Sequence, residues 1–283
     1  FQKKVIGILG YPLEHSISPV FQQAALDSVG IAANYEAWSV IPENLQGFLD
    51  DIRRNNFIGA NVTIPHKETV IGYLDDLDTN AEKIGSVNTI VNRDGRLIGY
   101  NTDSYGFLRS IEKFFPLIDF RKQSVLLIGA GGASRAVLYS LIEKGVDSII
   151  VANRTISRAK TLAKQFSNGI NVGTIGISDV ELASAAINSS FIVNCSSVGM
   201  KNGDSESLRL LDSSAIRSDS IVFDLVYNPV VTPLMQLAKN AGADVIGGLD
   251  MLVFQGAASF KLWTGLHPNI DVMFEAAHES LAT

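Results

Sequence analysis

The chain has 283 residues, enough for two domains with cores of their own or for one large domain. A hydrophobic share of 46% and a charged share of 18% are those of a globular protein and exclude a disordered one. The formal net charge of −6 argues against nucleic acid or an acidic membrane as the main partner, so any anionic ligand has to be held by a few local cations and backbone amides.

Strand and helix patterns alternate along nearly the whole chain, which predicts an α/β protein. "KVIGILG" (4–10) reads as a strand, "SPVFQQAALDSVG" (18–30) as a helix closed by Gly30, "NYEAWSV" (34–40) as a strand and "PENLQGFLDDIRRN" (42–55) as a helix. In "GANVTIPHKE" (59–68), Ala60, Val62 and Ile64 alternate with Asn61 and Thr63, as in a half-buried strand. The pattern stops at Pro65 and leaves His66 and Lys67 just beyond it. A polar helical stretch follows, and "VNTIVNRDGRLIGYNTD" (87–103) reads as a hairpin with Asp94-Gly95 in its turn.

A second block begins near 104 with the helix "SYGFLRSIEKFF" (104–115). Strands are expected at "SVLLIG" (124–129), "SIIVAN" (148–153), "INVGTIG" (170–176), "FIVNCS" (191–196), "SIVFDLVY" (220–227) and "ADVIGG" (243–248), with helices between most of them. The last two helices, "LDMLVFQGAASFKLW" (249–263) and "IDVMFEAAHESLA" (270–282), have no strand after them and are expected to return to the first block. The expected division is therefore a domain of residues 1–103 with 249–283, and a Rossmann-type doubly wound domain of residues 104–248.

The single cysteine, Cys195, rules out an internal disulfide and lies in an apolar run, where a buried small hydrophobe is the simplest reading. His15, His66, His267 and His278 show no metal-ligand spacing, and no metal is expected. The N-terminal apolar run is short and broken by Pro12 and Glu14, a first strand rather than a signal peptide; a cytoplasmic protein is expected.

"VLLIGAGGASRAVLYSLIEKG" (125–145) is strand, glycine turn and helix. Gly129, Ala130, Gly131, Gly132 and Ala133 bring backbone amides and a helix N-terminus toward a pyrophosphate, although Ser134 stands where the dinucleotide fingerprint has Gly or Ala. An NAD site carries Asp or Glu about 20 residues on. Here Asn153, Arg154, Thr155 and Arg158 occupy that stretch, and guanidinium forks suit the 2′-phosphate of NADP. The plainer reading of "NRTISR" is a solvated helix start capped by Thr155.

Eight stretches in order, "GYPLEHSISP" (10–19), "NVTIPHK" (61–67), "GSVNTI" (85–90), "GYNTDSYG" (99–106), "GAGGASRA" (129–136), "NRTISRA" (153–159), "DLVYNPVVTPL" (224–234) and "GGLDMLVFQGAASFKLWTG" (247–265), resemble the shikimate dehydrogenase family over nearly the whole chain. The resemblance implies NADPH-dependent, reversible reduction of 3-dehydroshikimate to shikimate on the route to chorismate and the aromatic amino acids. It implies that Ser16 and Ser18 bind the substrate carboxylate and that Asn61, Thr63, Asn88, Tyr227 and Gln255 contact ring hydroxyls or carboxylate. Lys67 and Asp103 would be the catalytic pair. Gly129 to Ala133 and Asn153 to Arg158 would hold NADP, with Leu225 and Gly248 near the nicotinamide. In this family the Ser-x-Ser pattern accompanies shikimate enzymes, and Thr or Gly at one of the two positions accompanies use of quinate.

The sequence departs from the family pattern at Gln22, where histidine is frequent, at Cys195 and Ser196, at Gly256, where alanine is common, and at Thr79, where an acid is found. A hydride added to a ketone leaves an alkoxide that needs a proton, so a lysine beside an aspartate suits the reaction independently of any resemblance. Burial would favour the neutral amine of Lys67 and Asp103 its ammonium, which leaves acid–base and substrate-anchoring roles open. The plain alternatives are an exposed lysine at a helix start, an aspartate N-cap at Asp103, and serines that cap the helix beginning near Pro19. A quinate/shikimate dehydrogenase using NAD and a non-catalytic NADP-sensing regulator compete with the main reading; both Lys67 and Asp103 being present speaks against the regulator. The expected partner is the small-molecule substrate, with neither nucleic acid nor membrane, and a homodimer is left open.

Overall fold

The apolar runs become strands of two six-stranded sheets in the computed structural model, which describes residues 3–13, 16–54, 56–166, 170–177, 180–203, 205–206 and 208–282. Glu14 and His15, within the first family-like stretch, lie outside the described residues, as does Asn55 at the end of the second expected helix. The chain divides into two compact units, Phe1–Gly106 with Val253–Thr283, and Phe107–Leu252.

The first unit contains β1 (Lys4–Gly10), α1 (Ser18–Ser28), β2 (Ala33–Ser39), α2 (Leu45–Ile52), β3 (Phe57–Val62), β4 (Asp76–Leu77), α3 (Thr79–Ile84), β5 (Thr89–Arg93) and β6 (Arg96–Tyr100). It also holds the start of α4 (Asp103–Phe114), most of α9 (Gly248–Thr264) and α10 (Ile270–Ala282). The sheet order is β2-β1-β3-β5-β6-β4, with β1 parallel to β2 and β3, and β5 antiparallel to β3 and β6. Leu45, Leu49 and Ile52 lie on one stripe of α2 and join Leu9, Val62 and Ile90 in a core. The β5–β6 hairpin turns at Asp94 and Gly95, whose positive φ values of 54° and 88° are those a two-residue turn of this hand requires. The C-terminal helix α10 packs along α1.

Strand β3 departs from the half-buried alternation. It has neighbours on both sides, and Ala60, Asn61 and Val62 are all buried; the strand ends at Val62, and Ile64 is exposed. A central strand covered on both faces does not show a period of two in burial, whatever its sequence alternation. The two-residue strand β4 is too short to leave a pattern.

The second unit runs β7 (Ser124–Ile128), α5 (Gly132–Glu143), β8 (Ser148–Asn153), α6 (Ile156–Gln165), β9 (Val172–Gly176), α7 (Val180–Ile187), β10 (Phe191–Asn194), β11 (Ile221–Asp224), α8 (Pro233–Asn240) and β12 (Asp244–Gly247). All strands are parallel, in the order β12-β11-β10-β7-β8-β9. This is the doubly wound arrangement, with the strand order reversing between β7 and β10. Alternate residues feed two cores on opposite faces: Val125, Leu127 and Val193 on one side, Leu126, Ile128 and Ile192 on the other. Phe107 stacks on Phe223 with ring centroids 5.3 Å apart and anchors α4 to the first of these cores. Among the described residues no helix is long and apolar enough to cross a membrane.

Candidate active site

In the first unit Lys67 Nζ donates to Asp103 Oδ2 at 2.6 Å, with the two side chains only 15% and 5% exposed. Lys67 follows β3 and is held by its own carbonyl, which accepts from Val87 N at 2.8 Å. Asp103 is the first residue of α4, but it does not cap it. Asn101 Oδ1 accepts from Asp103 N at 3.1 Å and from Ser104 N at 3.4 Å, so the first amides of the helix are taken by Asn101 and the carboxylate of Asp103 is left for other donors. Asn88 Nδ2 is one of them, 2.9 Å from Asp103 Oδ1.

Asn88 also donates to Thr102 Oγ1 at 2.8 Å and to Gln255 Oε1 at 3.0 Å, while its own Oδ1 accepts from Thr102 N at 2.8 Å. Asn61 accepts from Tyr35 OH at 2.7 Å and donates to Asn88 O and Ser259 Oγ, both at 3.1 Å. The strand register explains the grouping, since Asn61 lies opposite Thr89 and Thr89 opposite Tyr100. Asn61 and Asn88 are 4% and 2% exposed. Both amides are engaged by neighbours: Asn88 holds Asp103 and Gln255, and Asn61 holds the Asn88 carbonyl and Ser259. Burial pushes the Tyr35 phenol well above its ordinary range, which keeps it a hydrogen-bond donor to Asn61.

Ser16 is half-buried and Ser18 buried. Neither caps α1: the N-cap is Ile17, without a side-chain bond, and Ser16 Oγ accepts from Ser18 N at 3.3 Å. Thr63 is half-buried, with its backbone amide bonded to Leu9 O and its methyl close to Gly10. The first unit thus brings together Lys67, Asp103, Asn88, Asn61 and Gln255. Sequence reasoning missed Tyr35, Thr89, Asn101, Thr102 and Ser259, which support them. Ser259 had a readable signal, lying four residues and one helical turn after Gln255; Tyr35 had none.

The second unit holds Tyr227 and the residues expected at a cofactor. Gly129 has φ +113°, and a Cβ on it would stand 3.0 Å from Cys195 C, so only glycine fits where β7 ends. Gly131 opens α5 with nothing within 4 Å of where its Cβ would be, and Gly132 and Ala133 begin the helix. Ser134 is explained by its hydroxyl, which accepts from Gly131 N at 3.2 Å and steadies the turn. Asn153 ends β8 and donates to Thr155 O at 2.9 Å; Arg154, Thr155 and Arg158 are exposed beside it. Thr155 occupies the N-cap position of α6 without a side-chain capping bond. Leu225 follows β11, and Gly248 packs so tightly on it that a Cβ would stand 2.1 Å from Leu225 O. An open backbone at a helix N-terminus, with guanidiniums after the second strand, fits a dinucleotide carrying a 2′-phosphate.

Three family models match the chain: "Shikimate dehydrogenase substrate binding domain" at residues 8–90, "Shikimate / quinate 5-dehydrogenase" at 110–225 and "Shikimate 5'-dehydrogenase C-terminal domain" at 248–278. A curated NADP(+) shikimate dehydrogenase of Methanocaldococcus jannaschii is 41% identical over 280 residues, which are 96% of this chain and 95% of that protein. The chain belongs to the shikimate dehydrogenase family. Among solved structures, a shikimate dehydrogenase in complex with NADP+ superposes with a TM-score of 0.90 at 38% identity, covering 100% of this chain and 97% of the other. The Thermus thermophilus shikimate 5-dehydrogenase in complex with NADP(H) and shikimate gives 0.86 at 37% identity, covering 98% and 100%.

Within the family pattern, two of the departures sit together. Gln22 is fully buried on α1 and its Nε2 donates to Gly256 O at 3.0 Å. A Cβ on Gly256 would stand 2.7 Å from the Phe21 ring and 3.0 Å from Gln22 Nε2, so the glycine and the glutamine are fitted to one another. Cys195 is half-buried against the core rather than fully enclosed. Ser196 donates to Asn194 Oδ1 at 2.6 Å.

Proposed function

We propose that this chain is an NADP-dependent shikimate dehydrogenase, an oxidoreductase acting on a CH–OH group, that reversibly reduces 3-dehydroshikimate to shikimate in chorismate and aromatic amino acid biosynthesis. The observation that carries the reading is the Lys67–Asp103 contact, nearly closed to solvent and flanked by Asn88 and Gln255, in a chain of this family.

When bound, NADPH supplies the hydride. Lys67, as ammonium, gives a proton to the oxygen that becomes the hydroxyl, and takes one back in the reverse direction. Asp103 holds Lys67 Nζ at a fixed distance and offers its second oxygen, beside Asn88, to a substrate hydroxyl. Gln255, whose Oε1 accepts from Asn88, joins Ser16, Ser18, Thr63, Asn61 and Tyr227 in the set assigned to the substrate. For the cofactor, the amides from Gly129 to Ala133 would hold the pyrophosphate, and Asn153, Arg154, Thr155 and Arg158 the 2′-phosphate. Leu225 and Gly248 would border the nicotinamide, in the half of the sheet that follows the reversal.

Mixing the protein with NADP and shikimate and following the absorbance of the reduced nicotinamide tests the reading. Repetition with NAD and with quinate separates it from a quinate/shikimate enzyme, and the absence of turnover in all four mixtures would leave only a cofactor-binding regulator. A cytoplasmic location and a homodimer belong to the same proposal; fractionation and light scattering on the purified protein test them.

A further inference from the structure

Asp224 ends β11 and is fully buried, yet it belongs to none of the roles assigned above. Its carboxylate gathers three segments of the second unit. Oδ1 accepts from Asn194 Nδ2 at 2.9 Å and from Val226 N at 3.1 Å, and Oδ2 accepts from Thr232 Oγ1 at 2.6 Å. Asn194, at the end of β10, passes the constraint on: its Oδ1 accepts from Ser196 N at 3.0 Å and from Ser196 Oγ at 2.6 Å. Thr232 in turn accepts from Met235 N at 3.2 Å and caps α8. The loops fixed in this way, after β10 and after β11, leave the carboxyl ends of adjacent parallel strands on the far side of the β7/β10 reversal. In a doubly wound sheet that is the edge at which the second half of a dinucleotide lies.

We propose that Asp224 is a positioning residue for the nicotinamide half of the cofactor, its ionised carboxylate locking the Cys195–Val198 and Leu225–Val226 loops in one arrangement. The proposal rests on the reading that this unit binds NADP. The chemistry favours a carboxylate over any neutral group, because three donors converge on two oxygens and only an acceptor-only group satisfies all of them. A protonated Asp224 has to donate from one oxygen and turn the Thr232 hydroxyl or the Asn194 amide away. Burial raises the carboxyl from its ordinary value to about 6, against the lowering effect of the Thr232, Val226 and Asn194 hydrogen bonds. The groups facing it, from β10, the following loop and the start of α8, are these three, and none of them titrates. One group thus ties the end of β10, the turn after β11 and the start of α8 together at the edge where the nicotinamide half of the cofactor would lie.

The test compares wild-type enzyme with Asp224→Asn and Asn194→Ala. NADPH affinity is measured by nicotinamide fluorescence, shikimate KM and kcat by steady-state assay, and stability by thermal melting, all at a pH near 8. The expected result for Asp224→Asn is NADPH binding weakened roughly 3- to 10-fold, the effect of one displaced hydrogen bond, with shikimate KM unchanged and a loss of NADPH affinity out of proportion to any change in melting temperature. Asn194→Ala should weaken NADPH similarly, and the double variant by less than the product of the two. Wild-type NADPH affinity should fall as the pH drops through about 6, and Asp224→Asn should lack that component. The difference between the two profiles removes the titration of the cofactor's own 2′-phosphate. Equal NADPH affinity in Asp224→Asn and wild type, or losses in NADPH binding that follow losses in melting temperature, would overturn the proposal. A wild-type protein that binds no NADPH would overturn the functional reading and this proposal with it.

Discussion

Lys67 and Asp103 meet at 2.6 Å, and the second oxygen of that aspartate is held by Asn88. The lysine therefore has one fixed direction for its ammonium, and the aspartate is oriented even when the lysine is engaged elsewhere. Lys67→Ala should lower kcat by about 10²–10⁴-fold, the range for a lost positioned acid, with NADPH affinity preserved. Asp103→Ala should also be damaging, and the double variant should lose less than the product of the single losses because the two act as a unit. Normal kcat with a raised substrate KM in Lys67→Ala would make the lysine an anchor alone.

Arg154 is exposed at the end of β8 beside the Asn153–Thr155 turn. Arg154→Ser should raise KM for NADPH by roughly 10- to 150-fold, the value of a lost charge-assisted contact to phosphate, and leave the weaker use of NADH nearly unchanged. Equal losses with both cofactors would assign the arginine to the pyrophosphate or the fold.

The pH dependence of stability should carry a signature of Asp224. Its carboxyl titrates near 3.8 in the unfolded chain and near 6 in the folded one, so between those values the folded state holds the extra proton. The associated stabilisation is complete below about pH 3.8 and is lost as the pH rises through about 6; two units correspond to about 3 kcal/mol. Urea unfolding of wild type and Asp224→Asn between pH 5 and 8 should therefore show the variant gaining on wild type as the pH rises. Parallel curves would mean that the carboxylate is not penalised by its surroundings.

Most of the architecture was legible because it is written in local patterns. The six strands of the second unit are short, mostly apolar runs, and Asp94-Gly95 marked the hairpin. The support behind the site was not, because it depends on which residues the register places side by side. Asn61 reads as the polar position of an alternating strand, and only its place opposite Thr89, with Ser259 from a helix nearly two hundred residues later, makes it an interior amide. The plain alternative for Asp103 was a helix cap, and what separates the two readings is Asn101, whose side chain takes the first amides of α4 and leaves the carboxylate of Asp103 to Lys67 and Asn88. Asp224, an acid at the end of an apolar strand, gave a signal that went unused.

Phe21 and Gly256 are expected to behave as a fitted pair. Gly256→Ala places a methyl against the Phe21 ring at 2.7 Å and should destabilise the protein by about 1–3 kcal/mol through overpacking. Phe21→Leu should be costly alone, yet the double variant should recover part of the loss, because the smaller side chain makes room for the methyl. Additive losses in denaturant unfolding would show that the methyl is accommodated elsewhere.

Substrate choice should follow the serines. Ser16 Oγ accepts from Ser18 N, which occupies a lone pair and leaves its single proton for an acceptor such as a carboxylate oxygen. Shikimate carries its carboxylate on a flat ring carbon, whereas quinate has a tetrahedral carbon with an added hydroxyl. On the proposed reading Ser18, almost wholly buried at the start of α1, borders that carbon and leaves the added hydroxyl crowded or unpaired, at a cost of about 1–3 kcal/mol. We expect kcat/KM for shikimate to exceed that for quinate by at least about 10-fold, the lower end of that penalty. Ser16→Ala should raise the KM for shikimate through one lost hydrogen bond to the carboxylate, with NADPH binding untouched. Comparable turnover of the two substrates, or an unchanged KM in Ser16→Ala, would remove the serines from the carboxylate site.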